Sequence, residues 1–165
     1  MDKQEIKLLL EQANNELEIG NCKSAYSLLL PLLEKKIPEA LFLYSRFSIG
    51  GTETDQEFEE RSFSLLIECS NLKYPPALYS LGVCYDTGDL VDRDSLKAAL
   101  LFKNAAERGY SKAKLNYGLD LFYGSNGIPR DKSLGISYVE EAVDAEVEGS
   151  DDYLKEIKSQ PKAGL

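Results

Sequence analysis

Residues 77–109 have the sequence ALYSLGVCYDTGDLVDRDSLKAALLFKNAAERG. Its second half places Ala98, Phe102, Ala105 and Ala106 at the spacing i, i+4, i+7 and i+8, which lies along one face of an α-helix. An aspartate at position 94 precedes this segment, as a helix N-cap does. The stretch therefore predicts two antiparallel helices joined by a turn.

The same spacing recurs along the chain at a fixed period. Segments with this face start at Ala25, Ser62, Ala98 and Gly135, so successive starts are 37, 36 and 37 residues apart. A second series, with starts at 40, 77 and 113, lies between them at the same period. A constant period over four segments indicates internal repeats, in which each helix pair buries its apolar face against the next.

The repeats predict an all-α fold, an α-solenoid of about four antiparallel helix pairs with a period of 36–37 residues. We expect one repeat domain over residues 1–158, a short capping helix over 150–158 and a flexible tail over 159–165. The predicted helix pairs cover residues 2–36 (2–18 with 22–36), 38–72 (38–50 with 56–72), 75–108 (75–87 with 94–108) and 111–146 (111–123 with 131–146).

Composition excludes several classes of function. The chain has 28 acidic and 19 basic residues, a net charge of −9 and no histidine. An acidic protein is a poor ligand for nucleic acid phosphates or an anionic membrane, so we expect neither as a partner. Without a histidine or another nucleophile–base constellation we also expect no catalytic residues, no cofactor and no metal.

The cysteines and the chain start favour the cytoplasm. Cys22, Cys69 and Cys84 are odd in number and widely spaced, which argues against a disulfide framework. The first residues are too acidic and their apolar run too short for a signal peptide, and no segment is long and apolar enough to span a bilayer. Four aspartates crowd the turn at 86–94, but without the glycine and glutamate spacing of a calcium loop, so we interpret them as a solvated turn and a helix cap.

Residues 77–146 resemble the Sel1-like repeat family, a relative of the tetratricopeptide repeat with a longer turn in each helix pair. The third repeat carries the most matching positions, and the fourth departs from the pattern at Gly135 and Glu146. The resemblance implies an α-solenoid that binds other proteins, has no catalytic residues and lines a concave groove with its first helices. The matching positions are Ala77, Leu81, Gly82, Tyr85, Gly88, Val91, Asp94, Lys97, Ala98, Ala105, Ala106 and Gly109, followed by Ala113, Gly118, Gly124, Gly127, Ile128 and Asp131.

The resemblance also indicates which residues face the groove. Two sets of residues recur at the repeat period, one on each side of the small residues of the first helices. The residues of these two sets either face a partner or pack between helices. Acidic residues of the turn at 86–94 add a surface that would attract a basic partner. The candidate partner-binding residues are Phe42, Arg46, Tyr79, Val83, Asp86, Asp89, Asp92, Leu115, Leu119 and Phe122.

Two functions remain open at this point. One is an intracellular inhibitor that sequesters a basic protein, such as a bacterial toxin-immunity protein acting on a toxin domain encoded by a neighbouring gene. The alternative is an adaptor that joins partners in a signalling or assembly pathway. Both are protein–protein interaction functions without catalysis.

Overall fold

The structure, a computed structural model, describes residues 1–160. Over those residues it contains nine α-helices and no strand, which confirms the all-α prediction. Contacts divide the chain into two compact units, unit 1 (Met1–Ala77) and unit 2 (from Leu78 onward). The helices are α1 (Lys3–Glu18), α2 (Cys22–Glu34), α3 (Pro38–Tyr44), α4 (Asp55–Asn71), α5 (Pro75–Thr87), α6 (Ser95–Ala106), α7 (Ser111–Tyr123), α8 (Lys132–Asp144) and α9 (Ser150–Ser159).

Most predicted helices agree with the observed ones to within two residues at each end. The capping helix extends one residue further, to Ser159, so this residue is helical and not part of a tail. The rest of the predicted flexible tail, beyond Gln160, lies outside the described residues.

Unit 1 packs α1 on α2, α2 on α3 and α3 on α4. Asp2 caps α1, because its Oδ1 accepts hydrogen bonds from the backbone N–H groups of Gln4 and Glu5, both at 2.8 Å. Small and branched apolar side chains from α1, α2 and α3 form the core. Its buried members are Ala13, Ala25, Leu29, Leu32, Ala40 and Leu43.

The prediction of a helix over 38–50 is wrong, because α3 ends at Tyr44. The guanidinium of Arg61 donates hydrogen bonds to the backbone carbonyls of Tyr44 (2.8 Å) and Phe47 (2.9 Å), and it also pairs with both carboxylate oxygens of Glu53 (2.8 and 2.9 Å). The same group lies 3.9 Å from the centre of the Tyr44 ring. These bonds satisfy carbonyls that a continuing helix would otherwise use, and so hold the segment after α3 in a non-helical loop.

In unit 2 the same helix cap occurs twice. Asp94 and Asp131 cap α6 and α8, each accepting a hydrogen bond from the backbone N–H three residues later, as the sequence predicted. A first core cluster joins residues from α5 to α7 and includes Phe102 and Tyr117. A second cluster joins α7, α8 and α9 through Leu115, Phe122, Val139, Ala142 and Ile157.

In unit 2, α7 and α8 approach each other closely at two glycines. A Cβ atom at Gly135 would lie 2.7 Å from both the Gly118 carbonyl oxygen and the Phe122 nitrogen, and one at Gly118 would lie 3.0 Å from the Gly135 carbonyl oxygen. The obstacles are backbone atoms, which cannot rotate away as a side chain can. Gly135, which departs from the family pattern in sequence, is therefore required by its direct contact with Gly118.

We expect Gly135→Ala to lower the free energy of unfolding by about 1–3 kcal/mol, because the added methyl group overpacks this contact. The loss should occur although alanine favours a helix by about 1 kcal/mol over glycine. Gly50→Ala is the matched control, since a Cβ at Gly50 meets no atom within 4 Å. Urea denaturation measures both variants, and equal stability of the two would contradict the role given to Gly135.

A second prediction concerns Arg61. Removal of its guanidinium in Arg61→Met should cost about 2 kcal/mol at neutral pH, less than a fully buried ion pair, because side-chain exposure of Arg61 and Glu53 is 20% and 14%. Hydrogen bonds from Arg61 lower the pKa of Glu53 from 4.5 to about 2. The stability that this pair contributes is thus complete above pH 4.5 and is lost as the pH falls towards 2.

The difference in melting temperature between the native chain and Arg61→Met should shrink over the same pH window. Arg46→Met is the control, because Arg46 is exposed and its guanidinium only approaches the Phe42 ring, at 5.8 Å. A pH-independent difference for Arg61→Met would show that the carbonyl contacts alone account for its effect.

Candidate protein-binding groove

Unit 2 contains a groove of about 240 Å³, here called the α7 groove. Residues of α5, α6, α7, α9 and the loop after α7 line it, so it combines carboxylates, amides and apolar side chains. The lining residues are Asp86, Phe102, Leu115, Asn116, Leu119, Asp120, Asn126 and Tyr153.

Asp120 is the most deeply placed carboxylate of the groove, with only 6% of its surface exposed. Its Oδ1 atom accepts hydrogen bonds from Ser125 Oγ at 2.6 Å and Asn126 Nδ2 at 2.8 Å. Both donors return to Asp120 because Gly124 ends α7 in the left-handed conformation (φ 70°), which reverses the chain. Burial, and to a smaller extent the charge of Asp86, raises the pKa of Asp120 above its ordinary value.

The structure places three of the predicted partner residues along the α7 groove: Asp86, Leu115 and Leu119. Asp86 and Leu119 are half-buried, and each keeps part of its surface open. Leu115 is only 7% exposed and Phe122 only 2%, since both belong to the core between α7, α8 and α9. Leu115 therefore packs between helices, the second alternative left open by the sequence, and Phe122 packs in the same core.

Tyr79 and Val83, the candidates on α5, pack against the first core cluster of unit 2 and are half-buried. The Tyr79 ring lies 5.5 Å from the Phe102 ring and 5.3 Å from the Tyr110 ring, centre to centre. Much of the Tyr79 surface is thus used in packing between helices, the alternative that the sequence left open. Partner contact through the remaining surface of these two residues stays a prediction.

Asp89 and Asp92 are exposed in the turn between α5 and α6. Gly88 opens this turn in the left-handed conformation (φ 77°). Among the described residues, no lysine or arginine forms an ion pair with Asp86, Asp89 or Asp92. Their charges are therefore available to an external cation.

The two candidates of unit 1 lie together on α3 and the loop that follows it. Phe42 is half-buried, with its ring 5.5 Å from the Tyr74 ring, and Arg46 is exposed. Arg46 also lines a separate cavity of about 330 Å³ beside Leu17, Glu18 and other residues of this unit. Nothing in its lining resembles the carboxylate pair of the α7 groove.

Neither Cys69 nor Cys84 has the lowered pKa that is typical of a reactive thiol. Burial raises the pKa of Cys69 to about 12 and also raises that of Cys84, so both stay protonated at neutral pH. In residues 1–160, no three His, Cys, Asp or Glu side chains are grouped so that they could hold a metal ion. No helix in the same range combines the length and the apolar character that crossing a bilayer requires.

The family model described as Sel1 repeat matches residues 75–110 and 111–146. Residues 75–146 are two Sel1 repeats. They contain α5 to α8, and their second repeat supplies Asn116, Leu119 and Asp120 to the α7 groove. Sel1 repeats are generally non-catalytic scaffolds and imply a role in protein–protein interaction.

Similar proteins extend the likeness beyond the two Sel1 repeats. Chitin synthase regulatory factor 3 of Schizosaccharomyces pombe is 30% identical over 109 residues, which are 66% of this chain and 12% of that protein. The crystal structure of a Sel1 repeat protein from Oxalobacter formigenes matches 81% of this chain and 38% of its own, with a TM-score of 0.70 and 27% identity.

A further solved structure shares the fold alone. It is a protective antigen of uropathogenic Escherichia coli with an SLR fold, and the TM-score is 0.68 at 20% identity over 91% of this chain and 36% of that one. This chain thus spans well under half of the two longer structures and about an eighth of the yeast protein. The fold resembles the helical solenoids of Sel1-repeat proteins, as predicted.

Sequence reasoning missed Asn116, Asp120, Asn126 and Tyr153. The repeat period contains one signal, because Asp120 lies 36 residues after Cys84, and the sequence indicates that Cys84 faces or flanks the core. A carboxylate at a core-facing repeat position is unusual and indicates a specific environment. The other three residues reach the groove from a half-buried position of α7, from a loop and from the capping helix, where the sequence pattern carries no such signal.

The burial of Asp120 predicts a pH-dependent effect of Asp120→Asn. Because the folded chain raises the pKa of this carboxylate above 3.8, ionisation opposes folding at neutral pH, and this cost disappears in acid, where the group is protonated in both states. Asparagine keeps an acceptor oxygen for Ser125 and Asn126 without the charge. The melting temperature of Asp120→Asn should therefore exceed that of the native chain at neutral pH, and the difference should vanish below pH 3.8.

Differential scanning calorimetry at both pH values measures this difference. Asp89→Asn is the matched control, because Asp89 is an exposed aspartate of the same unit. It should shift the melting temperature at neither pH. A lower melting temperature for Asp120→Asn at neutral pH would contradict the electrostatic cost assigned to the buried carboxylate.

Proposed function

We propose that the chain is a non-catalytic protein-binding repeat protein whose partner presents a basic segment to the α7 groove. The observation that carries this proposal is the lack of an internal cation for two groove carboxylates. Within the described residues, neither Asp86 nor Asp120 has a lysine or arginine as ion-pair partner, and Asp120 is largely buried. A basic partner would offset the unfavourable free energy of keeping the Asp120 charge away from water.

The charge of the whole chain supports the same kind of partner. A net charge of −9 attracts a basic protein over long range and mainly accelerates association. The exposed Asp89 and Asp92 extend the acidic surface beyond Asp86 in the turn that follows α5. We therefore assign these two residues to steering of the partner, and Asp86 and Asp120 to contact with it.

The finer form of the proposal is inhibition by sequestration, as in a bacterial toxin-immunity protein. A nuclease-type toxin needs a basic active site to hold phosphates, so an acidic repeat surface laid over that site would compete with the substrate. The alternative, an adaptor that joins partners, is favoured by the yeast relative, which is named for the regulation of chitin synthase.

A peptide-display selection tests the basic-partner proposal directly. Random peptides selected on the immobilised chain should be enriched in lysine and arginine relative to the starting library. The association rate of a selected peptide should fall steeply as ionic strength rises from low to physiological values, where the screening length is about 8 Å. The triple reversal Asp86→Lys, Asp89→Lys and Asp92→Lys should slow association about tenfold or more, as loss of electrostatic steering does.

The matched control reverses three exposed acids of unit 1, Glu34, Glu59 and Glu60, to lysine. It changes the net charge by the same amount but leaves the α7 groove intact, so it should slow association less. Selected peptides without basic enrichment, or rates indifferent to salt and to both reversals, would overturn the proposal.

Co-expression with the neighbouring gene separates the inhibitor from the adaptor. An inhibitor should allow growth with a neighbouring gene product that is toxic by itself, and the two proteins should purify together. An adaptor should instead form a ternary complex with two different proteins.

A further inference from the structure

One oxygen of the Asp120 carboxylate is unused by the chain. Both hydrogen bonds that the side chain accepts end on Oδ1, and none in residues 1–160 ends on Oδ2. Every fully enclosed side-chain nitrogen or oxygen in those residues has a hydrogen-bond partner. Oδ2 is therefore not fully enclosed, and Asp120 is one of the residues that line the α7 groove.

The surroundings of Oδ2 provide acceptors from two helices and apolar surface between them. Asp86 on α5 and Asn116 on α7 line the same groove, together with Leu115 and Leu119. Two carboxylates and an amide are too few ligands for a calcium ion, which takes six to eight oxygens. A volume of about 240 Å³ is also below the 300–1,000 Å³ of sites that hold drug-sized molecules.

We infer that the α7 groove recognises one arginine side chain of the partner, whose guanidinium binds Asp120 Oδ2 and the Asp86 carboxylate while its methylene stem lies on Leu119. This inference rests on the proposed function and names the group that the basic segment inserts. Arginine stems bury along apolar surface while the charged head seeks acceptors, and such a site offers both.

Arginine fits the groove better than lysine for two reasons. Its guanidinium carries five N–H donors in a planar fork, which suits a groove lined by the acceptors of Asp86, Asn116 and Asp120. The planar group also stacks on aromatic rings, and Tyr153 lines the groove with part of its surface exposed. A lysine ammonium would pair with the negative charge, but it has no planar fork of donors and cannot stack on the Tyr153 ring.

Two probes test the inference: Nα-acetyl-arginine amide, and a selected basic peptide from the display experiment. In nitrogen-15 NMR, the arginine probe should shift the side-chain amide signals of Asn116 and Asn126, because both line the groove and Asn126 donates to Asp120. Nα-acetyl-citrulline amide, which has the same shape without the charge, should leave them unchanged. Nα-acetyl-lysine amide should bind more weakly than the arginine probe.

Variants of the full chain provide the second arm. Asp120→Asn and Asp86→Asn should each lower the affinity for the peptide about 10-fold to 100-fold. This is the loss expected when one hydrogen bond to a charged group is removed. Asp86→Asn guards against a folding effect, because this side chain makes no hydrogen bond within the described residues. Asp144→Asn, an exposed aspartate of α8 outside the groove lining, is the control and should leave the affinity within about twofold of the native chain.

The outcomes separate this inference from the proposed function. If a basic peptide binds but neither groove variant weakens it, the arginine site is wrong while the basic-partner function stands. Equal binding of the citrulline probe, or of the lysine probe, would likewise overturn recognition of a guanidinium. If the selection yields no basic peptide at all, the proposed function fails and the inference fails with it.

Discussion

The direct contact between the Gly118 and Gly135 backbones fixes how α7 and α8 pack, and the candidate site depends on it. A single Cβ atom at Gly135 would collide with main-chain atoms of α7 at 2.7 Å, so the two helices can be this close only without side chains there. The close approach also lets Val139 and Ala142 of α8 bury Leu115 and Phe122 of α7 in one cluster, to which Ile157 of α9 is joined. The walls of the α7 groove are held in place by this cluster.

The helix ends matter as much as the helix faces. Left-handed glycines end the first helix of each Sel1 repeat, and aspartate caps begin the second, so each turn has little conformational choice. In unit 2 the turn after α7 does more, because it returns Ser125 and Asn126 to one oxygen of Asp120. The carboxylate is then fixed in orientation, and within the described residues its other oxygen accepts no hydrogen bond.

At Asp120, the arrangement that suits binding of a cation lowers the stability of the fold. A buried carboxylate without a cation is costly, and its two hydrogen bonds offset only part of that cost, as the raised pKa indicates. Unit 1 contains the contrasting arrangement, in which Arg61 neutralises Glu53 and lowers its pKa to about 2. The environment of Asp120 suits a site that binds a positive charge from a partner. The ion pair between Arg61 and Glu53 suits a permanent structural contact.

The sequence by itself determined the all-α class, the repeat period, the caps at Asp94 and Asp131 and most helix ends, because these follow from local spacing and from the conformations that single residues favour. It also pointed to Asp86 and Leu119 at the groove. Only the tertiary structure showed that α3 stops at Tyr44, since the reason is a side chain seventeen residues away, and that Leu115 and Phe122 are core residues. Asn126 and Tyr153 likewise join Asp120 only through folding, because a helical period predicts which face a residue occupies but not which distant side chains share its surroundings.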